Sequence, residues 1–264
     1  TAVGSACLDA NTTGADNTAL GYAALGANTT ASYNTAVGNS ALLVNTTGAN
    51  NTAIGINALD ANTTASHNVA VGANALGANT TGTQNTALGT SALTANTTAS
   101  YNTAIGYAAL EDNTAADNTA VGHNALVENT TGDNNTAVGR AALNDNTTGG
   151  SNTAVGKSAL TANNGSANVA VGANALDANT TGNSNVAMGY LSLSANTTAS
   201  HNTAIGRAAL AVNTTGEENI AIGNYALDAN TTASYNTAVG YFAGGAITTG
   251  TQNVFVGRSA NKEG

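Results

Sequence analysis

The chain has 264 residues, of which 7% are charged, and it contains no Trp or Pro and only two Phe. These numbers exclude a core of large aromatic side chains, and the Ala, Val, Ile and Leu content suits a thin, closely packed interior. The formal net charge is −9, with five basic residues. Nucleic acids and anionic membrane surfaces are bound through clustered Lys and Arg, so we expect neither as a partner.

Cysteine usage and hydropathy add two further limits. Cys7 is the only cysteine, so the chain forms no internal disulfide. No segment approaches the roughly 20 apolar residues of a membrane span, and we therefore expect no membrane insertion.

A repeat of 17 residues fills the sequence. Strings close to NTAVG occur sixteen times, from Gly4 to Gly257, with thirteen glycine-to-glycine steps of 17 residues and two of 16. A unit this small cannot bury a core without its neighbours. We therefore predict a single repeat array over residues 1–264, folded as an all-β, parallel β-solenoid (β-roll or β-helix) of about sixteen 17-residue coils. One strand spacing per coil gives a length of about 75 Å.

The string NTAVG predicts a short strand that ends at the glycine. The residue three positions before the glycine is always β-branched, and the residue directly before it is Val, Ile, Leu or Met188. These two columns, called the Thr column and the Val column, share one face of a strand, and we predict that this face points inward. Ala lies between them in fifteen of sixteen copies. This Ala column is a candidate interface, either between two sheets of one coil or between chains, and includes Ala19, Ala36, Ala53 and Ala70.

The glycine after each strand has no exception in the array. We expect it to need a positive φ or to lie where another group approaches too closely for a Cβ atom. The first of these turn glycines within complete repeats are Gly21, Gly38, Gly55 and Gly72. Ala-Leu follows as a second apolar anchor, and Asn-Thr-Thr-Gly or Asn-Thr-Thr-Ala-Ser closes the coil as a turn.

Two columns of Asn run through the array. Stacked coils would place each column in a line at about 4.8 Å spacing, so we predict asparagine ladders with hydrogen bonds between coils. The pre-strand column begins Asn17, Asn34, Asn51, Asn68, and the turn column includes Asn28, Asn45 and Asn62. Asn-Thr-Thr is also an acceptor sequence for glycosylation. We favour the ladder, because a side chain turned inward is not available to a transferase.

The variable columns mark the outer surface. A Tyr/His row precedes the pre-strand Asn in copies whose turn reads Ala-Ser, and it consists of Tyr33, His67, Tyr101, His201 and Tyr235. This row is a candidate surface for binding a flat or sugar-like partner, and lateral packing between chains is the alternative. The residue directly after the glycine is also variable, and this post-glycine column holds four of the five basic residues.

Catalytic and metal-binding patterns are absent from the sequence. The three histidines, His67, His123 and His201, are too far apart along a repeat array to share a metal ion. The acidic residues are scattered, and there is no HExxH, Walker loop or GxSxG motif. We therefore expect no enzymatic activity and no cofactor.

The unit N-T-A-V-G-x-x-A-L-x-x-N-T-T-G-x-x resembles the repeats of tail-fibre-type proteins of phages and bacteria. It is more loosely similar to the NSVAIG repeats in the heads of trimeric autotransporter adhesins. The resemblance covers essentially the whole chain. It implies a parallel β-roll or β-helix, often trimeric, in an extracellular fibre on a cell surface or virion.

These observations favour a structural component of an extracellular fibre or filament that assembles laterally or end to end, with itself as the main partner. Neither end has an obvious polar cap, which favours end-to-end stacking. A cell-surface glycan is a further candidate partner through the Tyr/His row. The alternative function is ice binding by ranks of Thr on a flat solenoid face. The Thr column accepts Val and Ile, whereas the Asn-Thr-Thr turn keeps Thr at nearly every copy.

Overall fold

The computed structural model describes residues 1–261, and it confirms the all-β, parallel β-solenoid prediction. Those residues form sixteen short parallel strands and no helix. The chain divides into two compact units, Thr1–Asp133 and Asn134–Gly264. The last three positions of the predicted 1–264 array lie outside the described residues.

Each unit contributes eight strands, which follow one another in the sheet in chain order. The strands of the first unit are β1 Ala2–Val3, β2 Thr18–Leu20, β3 Thr35–Val37, β4 Thr52–Ile54, β5 Val69–Val71, β6 Thr86–Leu88, β7 Thr103–Ile105 and β8 Thr119–Val121. The strands of the second unit are β9 Thr136–Val138, β10 Thr153–Val155, β11 Val169–Val171, β12 Val186–Met188, β13 Thr203–Ile205, β14 Ile220–Ile222, β15 Thr237–Val239 and β16 Val254–Val256. Successive strands pair with equivalent residues opposite each other, as in Ala36 with Ala53 and Ala187 with Ala204.

The Ala column, and not its β-branched neighbours, points into the coil. Ala19, Ala36, Ala53 and Ala70 are fully buried, while the residues on either side of them are exposed or half-buried. The prediction that the Thr and Val columns face inward is therefore wrong. The interior beneath a three-residue strand is too thin for a branched side chain, so only Ala fits there. A contact between chains through these alanines is also excluded, because their side chains are enclosed within the chain itself.

The Leu column forms the rest of the core. Leu side chains such as Leu93 and Leu210 are fully buried, as are the Ala residues that precede them. Each Leu lies against the inward Ala of the strands, and stacking the coils makes this contact continuous within a unit. The second apolar anchor predicted from the sequence is confirmed.

The strand-end glycines are required for two independent reasons. Gly21 has φ +136, in a region that side-chain-bearing residues rarely adopt. A Cβ atom on Gly21 would also lie 2.4 Å from the carbonyl oxygen of Gly38 in the next coil. Gly189 in the second unit shows the same pair of constraints, with φ +136 and a 2.5 Å approach to the Gly206 oxygen. Both predicted reasons for an invariant glycine are confirmed.

Three further columns adopt a left-handed backbone with residues other than glycine. They are the second residue after the glycine, the buried Leu, and the residue before the pre-strand Asn, represented in one repeat by Asn57 (φ 53), Leu59 (φ 52) and His67 (φ 62). Tight turns follow, closed by hydrogen bonds such as Asn62 N to Leu59 O at 3.2 Å. None of the left-handed residues is Val, Ile or Thr. Branching at Cβ would crowd the backbone in this conformation.

Candidate interaction surface

The turn Asn column forms the predicted amide ladder. The Asn45 amide donates to Asn28 Oδ1 at 3.0 Å, and the Asn62 amide donates to Asn45 Oδ1 at 2.8 Å. In the second unit the Asn196 amide donates to Asn179 Oδ1 at 2.8 Å. The same nitrogen also donates to the carbonyl three residues later, as from Asn62 to Ala65 O at 3.0 Å. Both amide hydrogens are therefore used in the interior.

The pre-strand Asn column links coils in a different way. Its side-chain oxygen accepts from the backbone of the next coil, as in Asn51 N to Asn34 Oδ1 at 2.9 Å. Its amide donates to a turn carbonyl of the next coil, as from Asn34 to Gly48 O at 2.9 Å. Asn17 and Asn68 accept and donate in the same pattern. This column is thus a side-chain-to-backbone ladder, which orders the coil entrance without direct amide pairing.

These ladders bear on the glycosylation alternative. Asn28, Asn45 and Asn62 are fully buried, and the amide nitrogen to which a glycan would be attached is hydrogen-bonded in each. The repeated Asn-Thr-Thr string is accounted for by packing geometry, as the sequence analysis favoured.

The turn ladder has two open ends, and each has a local cause. Asn96 Oδ1 is buried without a hydrogen-bond partner, because Asn113 in the first 16-residue copy directs its amide to Ala115 O instead. Asn230 Oδ1 is also unpartnered, because Ile247 replaces the next Asn. The second 16-residue copy keeps its bond, from Asn163 to Asn146 Oδ1 at 3.2 Å. A missing residue therefore does not by itself open the ladder.

The outward face of the strands is the largest repeated apolar surface of each unit. It carries the Thr and Val columns and no charged side chain. In the Val column, Leu20, Leu88 and Met188 are 47%, 45% and 41% exposed. Large exposed hydrophobic side chains elsewhere are almost confined to the Tyr/His row and the post-glycine column, with Val44 and Val212 as the exceptions. Contiguous apolar surface of this kind marks interaction sites.

Thr hydroxyl groups differ between the sheet face and the turn. Within residues 1–261, no hydroxyl of the Thr column has a hydrogen-bond partner, as at Thr35 and Thr103. The first Thr of Asn-Thr-Thr instead donates to the next coil, as from Thr46 to Thr63 O at 3.0 Å. The strict retention of Thr in the turn therefore has a structural cause, and the free hydroxyl groups lie on the sheet face.

The Tyr/His row lies on the surface as predicted. Tyr33, Tyr101 and Tyr235 are 63%, 57% and 53% exposed, and His67 and His201 are also exposed. Members of the row occupy alternate coils within each unit, so neighbours are two strand spacings, or about 10 Å, apart. None of these five rings stacks on another in the described part of the chain. His201 lines a shallow depression with Thr203, Glu218 and Ile220.

The Ser before each Tyr or His explains why these copies alternate. Ser32 Oγ accepts from Ala15 N at 3.0 Å, and Ser200 Oγ accepts from Asn183 N at 3.0 Å, in each case in the preceding coil. A Ser copy therefore satisfies a backbone donor of the copy before it. The sequence showed the 34-residue alternation but not this hydrogen bond.

Charge is distributed unevenly between the units. Residues 1–133 include eight acidic and no Lys or Arg residues, whereas residues 134–264 include six acidic and five basic residues. Asp60 and Asp177 occupy the same position of the repeat, and partial burial raises the pKa of both carboxyl groups above the usual value. Backbone N–H groups donating to these carboxylates oppose the shift without cancelling it.

Neither a metal centre nor a membrane span emerges from the geometry. Residues 1–261 contain no group of three or more His, Cys, Asp or Glu side chains placed to hold a metal ion. A helix of the length and hydropathy needed to cross a membrane is likewise not found over the same range.

The sequence contained one signal that was not used. Val, Ile and Thr are abundant in the chain, yet none occurs in the three columns that the structure shows to be left-handed. The absence of β-branched residues from a column of a repeat predicts a left-handed backbone there, because branching at Cβ disfavours that conformation.

Comparisons with known proteins give no relative. No family model, no curated protein and no solved structure matches the chain.

Proposed function

We propose that this chain is a structural component of an extracellular fibre or filament, and that copies of it associate laterally through the outward sheet face. The observation that carries this proposal is the uncharged, apolar face formed by the Thr and Val columns in both units. Exposing such a face to water is unfavourable, and covering it would bury apolar area at about 25 cal/mol per Å².

The occupant we propose for this face is a second copy of the chain. Within each unit the side chains repeat at the strand spacing of about 4.8 Å, so an identical face offers ranks of the same period. Small and branched side chains such as those of Thr52, Ile54 and Val71 can interdigitate closely across two such faces, as they do in dry sheet interfaces. The absence of charge on both faces removes any electrostatic penalty for pairing like with like.

The resemblance to tail-fibre-type repeats supports the same function, and the sheet face gives it a physical basis. The repeated chemistry also favours a structural role, since each coil offers nearly the same groups as its neighbour. An extracellular location remains part of this proposal.

The test compares apolar-to-Lys changes on and off the face. The face variant carries Ile54→Lys, Leu88→Lys, Met188→Lys and Ile205→Lys. The control carries Val44→Lys and Val212→Lys, which alter exposed hydrophobic residues outside the face. We expect the wild-type chain and the control to form fibres or defined oligomers by light scattering and negative-stain microscopy, and the face variant to remain monomeric. Circular dichroism checks folding. Equal assembly of all three proteins would contradict the proposal.

Ice binding is a second candidate, and the free hydroxyl groups of the Thr column favour it. In the first unit Val69 is the only residue that interrupts the Thr of this column, so a rank of hydroxyl and methyl groups lies on a flat face at regular spacing. Thermal hysteresis of the wild-type chain tests this function. The variant Thr52→Lys/Thr103→Lys should abolish any hysteresis. A monomeric wild-type chain with hysteresis would replace the fibre proposal, and a chain without hysteresis would exclude ice binding.

A further inference from the structure

An aromatic strip occupies the turns that follow the last five strands of the second unit. We define it by six residues: Tyr190, Arg207, Tyr225, Tyr241, Phe242 and Arg258. Its members contact one another in sequence. The Arg207 guanidinium carbon lies 6.0 Å from the Tyr190 ring centre and 5.5 Å from that of Tyr225. The strip is therefore continuous from one coil to the next.

The contacts extend to the last coil of the unit. Tyr225 stacks on Phe242 with ring centres 4.9 Å apart and an interplanar angle of 11°. Tyr241 meets Phe242 edge to face at 4.7 Å, and the guanidinium carbon of Arg258 lies 5.6 Å from the Tyr241 ring centre. Aromatic and cationic groups thus alternate along one line, which holds the two Arg side chains in fixed directions.

Two of these aromatic residues occupy an unfavourable backbone position. Tyr225 and Phe242 have φ 59 and φ 54 in a left-handed column whose other members are Ala, Ser, Asn or Leu. Bulky side chains are rare in this conformation, and their presence away from the buried core points to a role other than folding. Both rings are only half-buried, so the core does not require them.

The Arg side chains retain unused hydrogen-bond donors. Neither the Arg207 nor the Arg258 guanidinium forms an ion pair with the acidic residues of the described chain. Their planar faces lie over Tyr rings, which leaves the N–H edges directed away from the rings. A guanidinium edge matches a carboxylate through two parallel hydrogen bonds.

The Tyr residues add two further features of a binding surface. Tyr190 and Tyr241 are 51% and 43% exposed, and their hydroxyl groups have no hydrogen-bond partner in the part of the chain that the structure describes. A sugar ring presents apolar C–H groups beside hydroxyl groups, so it can pack on an aromatic ring and hydrogen-bond to its hydroxyl.

From this combination we infer that the aromatic strip binds a carboxylated polysaccharide, a polymer of uronic acid units. Three coils separate Arg207 from Arg258, about 14 Å at one strand spacing per coil. A polymer with carboxylates along its length can engage both guanidinium groups at once, whereas a single sugar cannot. This site is distinct from the sheet face and from the Tyr/His row, and it adds a binding activity to the proposed structural role.

The probe is polygalacturonate, and its binding to the full chain is measured by isothermal titration calorimetry. We expect the variant Arg207→Gln/Arg258→Gln to bind at least about tenfold more weakly than the wild-type chain, because two charge-assisted contacts are lost. The control Arg140→Gln/Lys157→Gln removes two charges from the same column of the same unit, outside the strip. It should change the affinity by no more than about twofold. The variant Tyr190→Ala should also weaken binding.

Three comparisons with other ligands complete the test. Monomeric galacturonate should bind about a hundredfold or more weakly than the polymer, and neutral dextran should not bind. Equal losses in the two Gln double variants would contradict the inference, since binding would then reflect net charge alone. Tighter binding of polyphosphate or single-stranded RNA than of polygalacturonate would also contradict it. Circular dichroism establishes that each variant is folded.

Discussion

The two units of the chain have the same interior and different surfaces. Leu93 and Leu210 are fully buried in a left-handed conformation in the first and second unit, and the strand-end glycines and Asn columns are equally similar. The outer surfaces diverge. The Thr column is interrupted once in the first unit, whereas Val169, Val186, Ile220 and Val254 replace Thr in the second. All Lys and Arg residues and the aromatic strip also belong to the second unit.

This difference shows which positions the fold constrains. The interior positions are determined by close backbone contact, left-handed turns and hydrogen bonds between coils, so the same residues recur in both units. The surface positions experience none of these constraints and can specialise. We therefore expect interior substitutions to have the same effect in either unit, and surface substitutions to affect assembly or binding with little loss of stability.

The largest effect is expected at the strand-end glycines. Gly55→Ala and Gly189→Ala should each lower the free energy of unfolding by about 2–4 kcal/mol, because the added Cβ meets a backbone oxygen and φ is unfavourable. Urea denaturation of the two variants measures this directly. Gly26→Ala is the control, since its φ is not positive and its Cβ would meet its nearest neighbour at 3.2 Å. Markedly unequal losses in the two units would break the comparison.

The left-handed Leu column should distinguish branching from volume. Leu93→Ile and Leu210→Ile should cost about 2 kcal/mol more than the corresponding Met variants, which retain an unbranched Cβ. Leu and Ile have the same volume, so a cavity cannot account for the difference. Denaturant unfolding and local hydrogen exchange give the two values. If Ile and Met proved equally tolerated, the left-handed conformation of this column would be wrong.

The ladder prediction compares a continuous region with an open end. Asn62→Ala removes an amide that bonds on both sides of its coil, whereas Asn230 already has an unpartnered Oδ1. We therefore expect Asn62→Ala to cost about 1 kcal/mol more than Asn230→Ala, the value of one hydrogen bond. Unfolding free energies from urea titrations test the difference, and a larger loss for Asn230→Ala would contradict the ladder account.

The smallest effect is expected from the two partly buried carboxyl groups. Burial raises the folded-state pKa of Asp60 and Asp177 above 3.8, so folding favours their protonated forms. That contribution to stability is fully present below pH 3.8 and is lost as the pH rises through the raised pKa. Asp60→Asn and Asp177→Asn should therefore raise the melting temperature slightly at neutral pH and flatten its change with pH. Asp16→Asn, at an exposed position, is the charge control, and steeper profiles in the first two variants would refute the assignment.

The sequence was sufficient to predict the solenoid, the strand-end glycines and the buried Asn, because each follows from a repeated pattern with a direct physical cause. It did not reveal which face of the strand points inward. Thr and Val suggested a core, but the interior accommodates only Ala beneath the strand and takes its larger side chains from the Leu column. The aromatic strip was also missed, because Tyr225 and Phe242 lie one position after Asn224 and Tyr241, and only the folded turn brings the two columns into contact.

The most direct test of the proposed function measures which surface meets a neighbouring chain. A nitroxide label is placed at Thr103→Cys on the sheet face, or at Thr98→Cys in the exposed turn, in both cases with Cys7→Ala. Electron paramagnetic resonance of the assembled protein then reports dipolar broadening between chains, and dilution with unlabelled protein removes it. We predict broadening at position 103 and none at position 98. Broadening at position 98 alone, or at neither position, would contradict association through the sheet face.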